Sequence, residues 1–166
     1  MSGRTGEAAN GWPPGARTLV VVRHAKAGDA PGLPDRERPL TGRGERDARN
    51  AGDRVRPLEP DLVVASPSKR TRRTAELLGL DAPIEIERDI YEAYPEDLFA
   101  LIRRTDPAVG TLVLVGHNPG VHELVVSLTR GEVDGFPPAA LAVIELAGPW
   151  EEAGPGAGRL VGSFRP

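Results

Sequence analysis

The sequence of 166 residues contains no cysteine, and aromatic residues make up only 4% of it. Without cysteine the protein has no disulfides, no thiolate nucleophile and no cysteine metal site. Any nucleophile must therefore be another type of side chain. The low aromatic content means that a hydrophobic core has to be built from valine, leucine, isoleucine and alanine.

The sequence also lacks a strong charge imbalance and any long apolar run. Its formal net charge is −3, and no basic stretch has interleaved aromatic residues, which argues against nucleic acid as a partner. No apolar run is long enough to span a bilayer, and residues 1–17 contain no apolar block like that of a signal peptide. We therefore expect a cytoplasmic protein that binds neither nucleic acid nor membranes.

Short apolar runs alternate with helical patterns along the chain. Runs without polar alternation are typical of strands that are buried on both faces of a parallel sheet. The order of elements predicts an α/β fold, a three-layer α/β/α sandwich with a mostly parallel sheet, formed by residues 18–166 after a disordered tail at 1–17. The predicted strands are 18–22, 61–65, 83–87, 111–115, 140–146 and 158–162, and the predicted helices are 41–56, 66–78, 95–104 and 121–129.

The first two predicted helices have recognisable N-caps. Thr41 is predicted to cap the first helix, although glycines at 42, 44 and 52 lower its helical propensity. Ser66 followed by Pro67 is a favourable start for the second helix. Cations at 69, 70, 72 and 73 lie near the positive end of that helix dipole, which favours an anion there. A solvated basic face is the alternative explanation for most of these cations, and we single out only Arg70 as the candidate ligand of that anion.

Charged and imidazole side chains follow three of the predicted strands. Arg23 and His24 come directly after the first strand. Arg70 lies shortly beyond the second strand, and His117 follows the strand predicted at 111–115. The carboxyl ends of parallel strands share one edge of a sheet, and ligands bind in the crevice outside it. We therefore expect these side chains to face one crevice, beside a long polar loop at 25–37 of the kind that is often functional.

This set of side chains suits phosphoryl transfer. Guanidinium groups bind phosphate oxygens in pairs and stabilise the charge of the transferring group. A histidine near arginines has its charged form disfavoured, so its imidazole stays neutral and can attack phosphorus. Because the sequence offers neither cysteine nor a clear carboxylate cluster for divalent metals, a covalent phosphohistidine intermediate without metal or cofactor is the simplest hypothesis.

Four separated motifs extend this interpretation. They read VRHA at 22–25, RPLTGRG at 38–44, ASPSKRT at 65–71 and VGHNPG at 115–120. Together, and in this order, they resemble the histidine phosphatase superfamily, which implies a phosphoglycerate mutase-like fold. The short chain and its segment at 161–166 are similar to the small phosphohistidine phosphatase, or SixA-like, branch of that superfamily.

The resemblance implies a role for each matching residue. His24 would be the nucleophile that becomes phosphorylated. Arg23, Arg38 and Arg70 would bind the phosphoryl oxygens, and His117 would stabilise the transferring group from the other side. The implied reaction is hydrolysis, and the implied partner is a phosphorylated protein, such as one that carries phosphohistidine, or a small phosphorylated substrate.

Glu92 stands about where the superfamily has the acid that protonates the leaving group. An ordinary loop carboxylate is the alternative interpretation, because the imidazole leaving group of a phosphohistidine needs less help than an alkoxide does. The sequence also departs from the usual Arg-His-Gly signature of the superfamily at Ala25. That departure weighs against mutase activity more than against phosphatase activity.

Two other classes of function stay open on the sequence alone. A non-catalytic phospho-ligand-binding module would keep the arginines, and a mutase-type phosphotransferase would need a lid to protect its phosphoenzyme from water. A metal site built on His117 and His122 is disfavoured, because the two histidines are not at the i, i+4 spacing of a zinc helix and no third ligand is evident.

Overall fold

A sheet of six strands runs through the part of the chain that the computed structural model describes, residues 16–131 and 133–166. The strands are β1 (Arg17–Arg23), β2 (Leu62–Ala65), β3 (Ile84–Ile86), β4 (Thr111–Gly116), β5 (Leu141–Leu146) and β6 (Gly158–Phe164). Their order across the sheet is β3-β2-β4-β1-β5-β6. The first four strands run parallel, whereas β5 is antiparallel to β1 and β6 is antiparallel to β5. The mostly parallel sheet that the sequence predicts is confirmed.

A helix lies between each pair of successive strands as far as β5, and each corresponds to a predicted helix. The helices are α1 (Gly42–Val55), α2 (Lys69–Leu77), α3 (Pro95–Arg103) and α4 (Gly120–Thr129). Among the described residues, no helix is both long enough and apolar enough to cross a bilayer.

The helices cover both faces of the sheet, and β1 shows this most clearly. Leu19 and Val21 pack in the same hydrophobic cluster as the buried residues of α3 and α4. Val20 and Val22 point the other way, into a cluster that includes buried apolar residues of both α1 and α2. All four valine and leucine side chains are fully buried. The absence of polar alternation in this strand is thus explained by a three-layer sandwich.

The glycines of α1 allow the helix to approach neighbouring backbone closely. A Cβ atom added at Gly52 would lie 2.1 Å from the carbonyl oxygen of Leu78, and one added at Gly44 would lie 2.2 Å from that of Lys26. Both distances are far below van der Waals contact. The predicted N-cap is confirmed, since the side chain of Thr41 accepts a hydrogen bond of 3.0 Å from the amide of Gly44.

The predicted start of α2 is wrong by two residues. The N-cap is Ser68, whose side chain accepts from the amide of Thr71, and not Ser66. The Oγ atom of Ser66 lies 2.7 Å from Nε2 of His117 and accepts from the amide of Ser68 at 3.2 Å. Ser66 is therefore engaged with the neighbouring strand end, and Pro67 lies in the turn before the cap.

The prediction of a disordered tail over residues 1–17 falls mainly on residues 1–15, which lie outside the described residues. At its last position the prediction is wrong, because Arg17 begins β1 and pairs with Leu146 of β5. The strand is one residue longer at this end than the apolar run suggests.

Candidate active site

The parallel register of β1 and β4 places the two candidate histidines side by side. Arg23 pairs with Gly116, so the next residue of each strand is a histidine. The backbone amide of His24 donates to the carbonyl oxygen of Gly116 at 3.0 Å. The two imidazole rings of His24 and His117 have centroids 5.4 Å apart and planes at 61°. The predicted juxtaposition of these residues is what the structure shows.

The imidazole of His24 is held in one tautomer. Its Nδ1 atom lies 2.8 Å from the carbonyl oxygen of Ala25. Because a carbonyl can only accept, we assign the proton to Nδ1, which leaves Nε2 with a free lone pair. The side chain is buried, and burial lowers its pKa from 6.5 to about 4, with the charges of Arg70, Arg23 and Arg38 acting in the same direction. The ring is therefore neutral at neutral pH.

His117 is also neutral, and both of its ring nitrogens have partners. Nδ1 lies 3.4 Å from an Nη atom of Arg70, which can only donate, so Nε2 carries the proton and donates to Oγ of Ser66. The pKa of His117 is lowered to about 3, first by burial and then by the neighbouring His24 imidazole and the charge of Arg70. The ring of Tyr91 contacts His117 edge to face, with centroids 5.4 Å apart.

Arg70, in the first turn of α2, is held by Asp35 and also contacts His117. Its Nη1 donates to the backbone carbonyl of Asp35 at 2.8 Å, and its Nη2 donates to Oδ2 of the same residue at 3.0 Å. Its Nε is buried and has no hydrogen-bond partner in the described part of the chain. A buried N–H without a partner is costly in a folded protein and indicates a place for an external acceptor.

Arg23 repeats this arrangement from the end of β1. Its Nη1 donates to the carbonyl oxygen of Phe136 at 3.2 Å, and its Nε is buried without a partner among residues 16–131 and 133–166. Arg38 joins the same group, with its Nε on the carbonyl of Gly28 at 3.1 Å and its Nη1 on Oδ1 of Asp35 at 3.2 Å. The structure therefore brings all three predicted arginines to one place.

Two further residues, Asp35 and Tyr91, belong to this cluster and were not predicted from the sequence. The phenol of Tyr91 donates to Oδ2 of Asp35 at 2.6 Å. That bond, together with those from Arg70 and Arg38, holds the pKa of Asp35 well below its usual range, so the carboxylate stays ionised. The available signal was the position of Asp35 in the long polar loop, three residues before Arg38.

Glu92 is not joined to the cluster. Its side chain is exposed, and it makes no hydrogen bond or ion pair with the residues that the structure describes. Its backbone lies in the left-handed region, with φ of 55°. The phenol pKa of the neighbouring Tyr91 is raised first by the bond to Asp35 and in smaller part by the charge of Glu92.

His122 lies outside the cluster as well. Its Nε2 is 2.6 Å from the carbonyl oxygen of Val133, and its ring stacks on Phe136 with centroids 6.2 Å apart. Within the described ranges, no group of three or more histidine, aspartate or glutamate side chains is arranged to hold a metal ion. His122 is thus a packing residue of α4.

The arrangement is a cationic site with a neutral nucleophile. Arg23, Arg38 and Arg70 supply three positive charges, and Asp35 offsets one of them. Since neither imidazole is charged, the remaining attraction is for an anion with several oxygens. An unprotonated Nε2 of His24 beside such an anion is suited to nucleophilic attack on it.

Comparison with known proteins agrees with this geometry. The family model of the histidine phosphatase superfamily (branch 1) matches residues 19–105. An uncharacterised protein of Mycobacterium tuberculosis is 36% identical over 157 residues, which cover 87% of this chain and 99% of that protein. SixA from Nakamurella superposes with a TM-score of 0.81 at 30% identity, over 93% of this chain and 98% of its own. The protein histidine phosphatase SixA complexed with tungstate superposes with a TM-score of 0.76 at 26% identity, over 89% and 96%.

Proposed function

The chain belongs to the histidine phosphatase superfamily and to its SixA-like branch, and from that premise we propose that it removes the phosphoryl group of a protein phosphohistidine through a covalent intermediate on His24. The superfamily assignment and the fold support a phosphatase. The substrate class and the intermediate are the parts that this proposal adds, and they rest on the chemistry of the site.

The observation that carries the proposal is the state of the His24 imidazole. The hydrogen bond from Nδ1 to the carbonyl of Ala25 and the pKa of about 4 leave Nε2 unprotonated at neutral pH. A nucleophile of this kind needs no separate base to activate it. A module that only bound phosphate would have no use for a histidine prepared in this way.

The arginines supply hydrogen-bond donors for the phosphoryl group. Nε of Arg23 and Nε of Arg70 are buried donors without partners among the described residues, so a phosphoryl group can accept from both. Positive groups placed around a transferring phosphoryl stabilise the charge on its equatorial oxygens. SixA, which the chain resembles along most of its length, binds tungstate, an oxyanion with similar geometry to phosphate, and this supports oxyanion binding here.

The first chemical step transfers the phosphoryl group to the enzyme. The lone pair of His24 Nε2 attacks phosphorus, and the P–N bond to the substrate imidazole breaks. If the other nitrogen of that imidazole already carries a proton, the ring leaves as neutral histidine and needs no acid. The ring of His24 becomes cationic, and the carbonyl of Ala25 continues to accept from its Nδ1.

The second step is hydrolysis of the phosphoenzyme. Water attacks phosphorus, the bond to Nε2 of His24 breaks, and both protons of the water leave with the phosphate. His117 stands beside the reacting ring, and the negative charge of a bound phosphoryl group favours its protonated form. A protonated His117 can then donate to a phosphoryl oxygen.

Phosphate release in the presence of EDTA tests this proposal. Wild type, His24→Ala and His122→Ala are compared on a phosphohistidine peptide and on p-nitrophenyl phosphate. We expect wild type and His122→Ala to act on the peptide and His24→Ala to lose activity by on the order of 10³-fold or more. His122 is the matched control because it is a histidine of α4 that lies outside the cluster.

Direct detection of the intermediate completes the test. A reaction quenched at alkaline pH, where phosphohistidine is stable, should show one added phosphoryl group on the peptide that contains His24. Substantial turnover by His24→Ala would contradict the nucleophile assignment. Phosphate binding without release from either substrate would indicate a binding module, and a large loss in EDTA that added metal restores would indicate a metal-dependent mechanism.

A further inference from the structure

Asp35 is the point at which three groups of the site meet. It begins a short 3-10 turn, Asp35–Glu37, in the loop between β1 and α1. Its carboxylate accepts from Arg70, Arg38 and Tyr91, at 3.0, 3.2 and 2.6 Å. Its backbone carbonyl accepts a further bond of 2.8 Å from Arg70. One residue of the loop thus binds side chains of α2, of the loop itself and of the segment after β3.

The role of Asp35 depends on which nitrogen atoms of the two arginines it binds. Arg70 donates to Asp35 from both terminal nitrogens, one of which also lies 3.4 Å from Nδ1 of His117, and its Nε has no partner in the described part of the chain. Arg38 likewise gives one terminal nitrogen to the carboxylate. Asp35 therefore holds the terminal nitrogens of Arg70 and leaves Nε as a donor for an incoming anion.

We propose that Asp35 is a positioning residue, which fixes Arg70 and Arg38 so that their remaining donors are ready for the phosphoryl group. The inference rests on the proposed function, since it assigns these arginines to phosphate. A long arginine side chain loses much rotational freedom when it binds a ligand, and a partner that holds it beforehand removes part of that cost.

The loop that carries Asp35 is itself attached to the site. The guanidinium of Arg36 lies over the ring of Tyr91, 4.8 Å from its centroid, and the phenol of Tyr91 is bonded to Asp35. The Asp35 side chain is 49% exposed, while that of Arg70 is 8% exposed. The carboxylate thus approaches a buried guanidinium from the solvent side and is anchored by Tyr91 as it does so.

The variant Asp35→Asn tests the proposal, because it keeps the size and an acceptor oxygen but removes the charge. We expect the dissociation constant for inorganic phosphate, measured by isothermal titration calorimetry, to rise about tenfold, as the loss of a charge-assisted hydrogen bond implies. KM for the phosphohistidine peptide should rise by a similar factor, with a smaller change in kcat. Asp29→Asn is the matched control, since Asp29 is an exposed carboxylate of the same loop with no bond to the described residues.

Two outcomes would overturn the proposal while wild type remains active. Tighter phosphate binding by Asp35→Asn would show that the carboxylate competes with phosphate instead of preparing its site. A lower melting temperature with unchanged phosphate affinity would show a purely structural role. If wild type neither binds phosphate nor releases it, the proposed function itself fails, and this inference fails with it.

A second variant tests the proposal even if Asp35→Asn does not fold. Tyr91→Phe removes the hydroxyl that anchors Asp35 without changing any charge in the site. It should weaken phosphate binding in the same direction as Asp35→Asn, by a smaller factor. Unchanged affinity in both variants, with both folded as judged by circular dichroism, would contradict the assignment.

Discussion

Asp35 and Glu92 are two carboxylates beside the same tyrosine, and their surroundings give them different properties. Asp35 accepts three charged or phenolic donors, so its pKa lies well below the usual range and it cannot supply a proton near neutral pH. Glu92 is exposed and makes no bond to the residues that the structure describes. Of these two side chains, we propose that of Glu92 as the acid for substrates whose leaving group needs a proton.

The variant Glu92→Gln should separate substrates by their leaving groups. An alkoxide needs a proton as it departs, and general acid catalysis contributes about 10²-fold or more, whereas a phosphohistidine protonated on its other ring nitrogen leaves as neutral histidine without an acid. We expect kcat/KM for an alkyl phosphate to fall much more than kcat/KM for the phosphohistidine peptide. Steady-state kinetics on both substrates check this, and an equal loss on both would assign Glu92 to binding instead.

Some contacts between residues of the site could be predicted from the sequence, and others could not. His24, His117, Arg23 and Arg70 could be placed together because each follows a recognisable strand, and strand ends meet at one edge. The bond between Tyr91 and Asp35 joins residues 56 positions apart in two irregular segments. Hydrophobic periodicity does not predict such a contact, because the contact depends on where the complete fold places the two segments.

At the scale of an element, helix α1 was also predictable only in part from the sequence. Its glycines lower helical propensity, and the sequence does not show which close backbone contacts they allow. Gly52 lies against the carbonyl of Leu78 at the C-terminal end of α2, and Gly44 against that of Lys26. The helix was predictable from its N-cap and apolar stripe, but the close approach depends on where α2 and the loop after β1 are packed.

Replacement of two glycines in α1 by alanine should give opposite results. In Gly52→Ala the new Cβ meets backbone at 2.1 Å, so we expect a loss of about 1–3 kcal/mol in the free energy of unfolding. In Gly42→Ala the nearest atom is 3.8 Å away, at the end of the flexible Arg46 side chain, and stability should be unchanged or slightly higher. Thermal unfolding of both variants checks this, and equal melting temperatures would contradict the packing account.

The start of α2 gives a second example at this scale. Ser66 and Ser68 both have the chemistry of an N-cap, and local sequence alone favours the one before Pro67. In the structure the hydroxyl of Ser66 instead forms a hydrogen bond with His117, which is 51 positions away in the chain. A serine near a predicted helix start can therefore form a hydrogen bond at the end of another strand instead of capping the helix.

At the scale of the whole molecule, the site makes stability depend on pH. The pKa of His24 is about 4 and that of His117 about 3 in the folded chain, against 6.5 for a free histidine. Between these values the unfolded chain binds more protons than the folded chain, so stability falls as the pH is lowered from about 6.5. Asp35, whose folded pKa is depressed, adds a loss in the same direction at lower pH.

Urea unfolding at pH 7 and at pH 5 measures this dependence. Each fully shifted histidine contributes about 1.4 kcal/mol per pH unit below its unfolded pKa. Wild type should therefore lose more stability over this interval than His24→Ala, which lacks one of the two buried imidazoles. Parallel losses in the two proteins would mean that His24 is not held neutral by burial.

The pairing of Arg23 with Gly116 has a consequence for how such a protein can diverge. The two histidines are the next rungs of one parallel ladder, and neighbouring strands lie about 4.8 Å apart whatever their side chains are. The separation of the two histidine backbones is thus set by the pairing of the strands, and substitutions in the surrounding loops leave it unchanged. Proteins that diverge from this chain can therefore change the loops around the site while the two histidines keep the same backbone spacing.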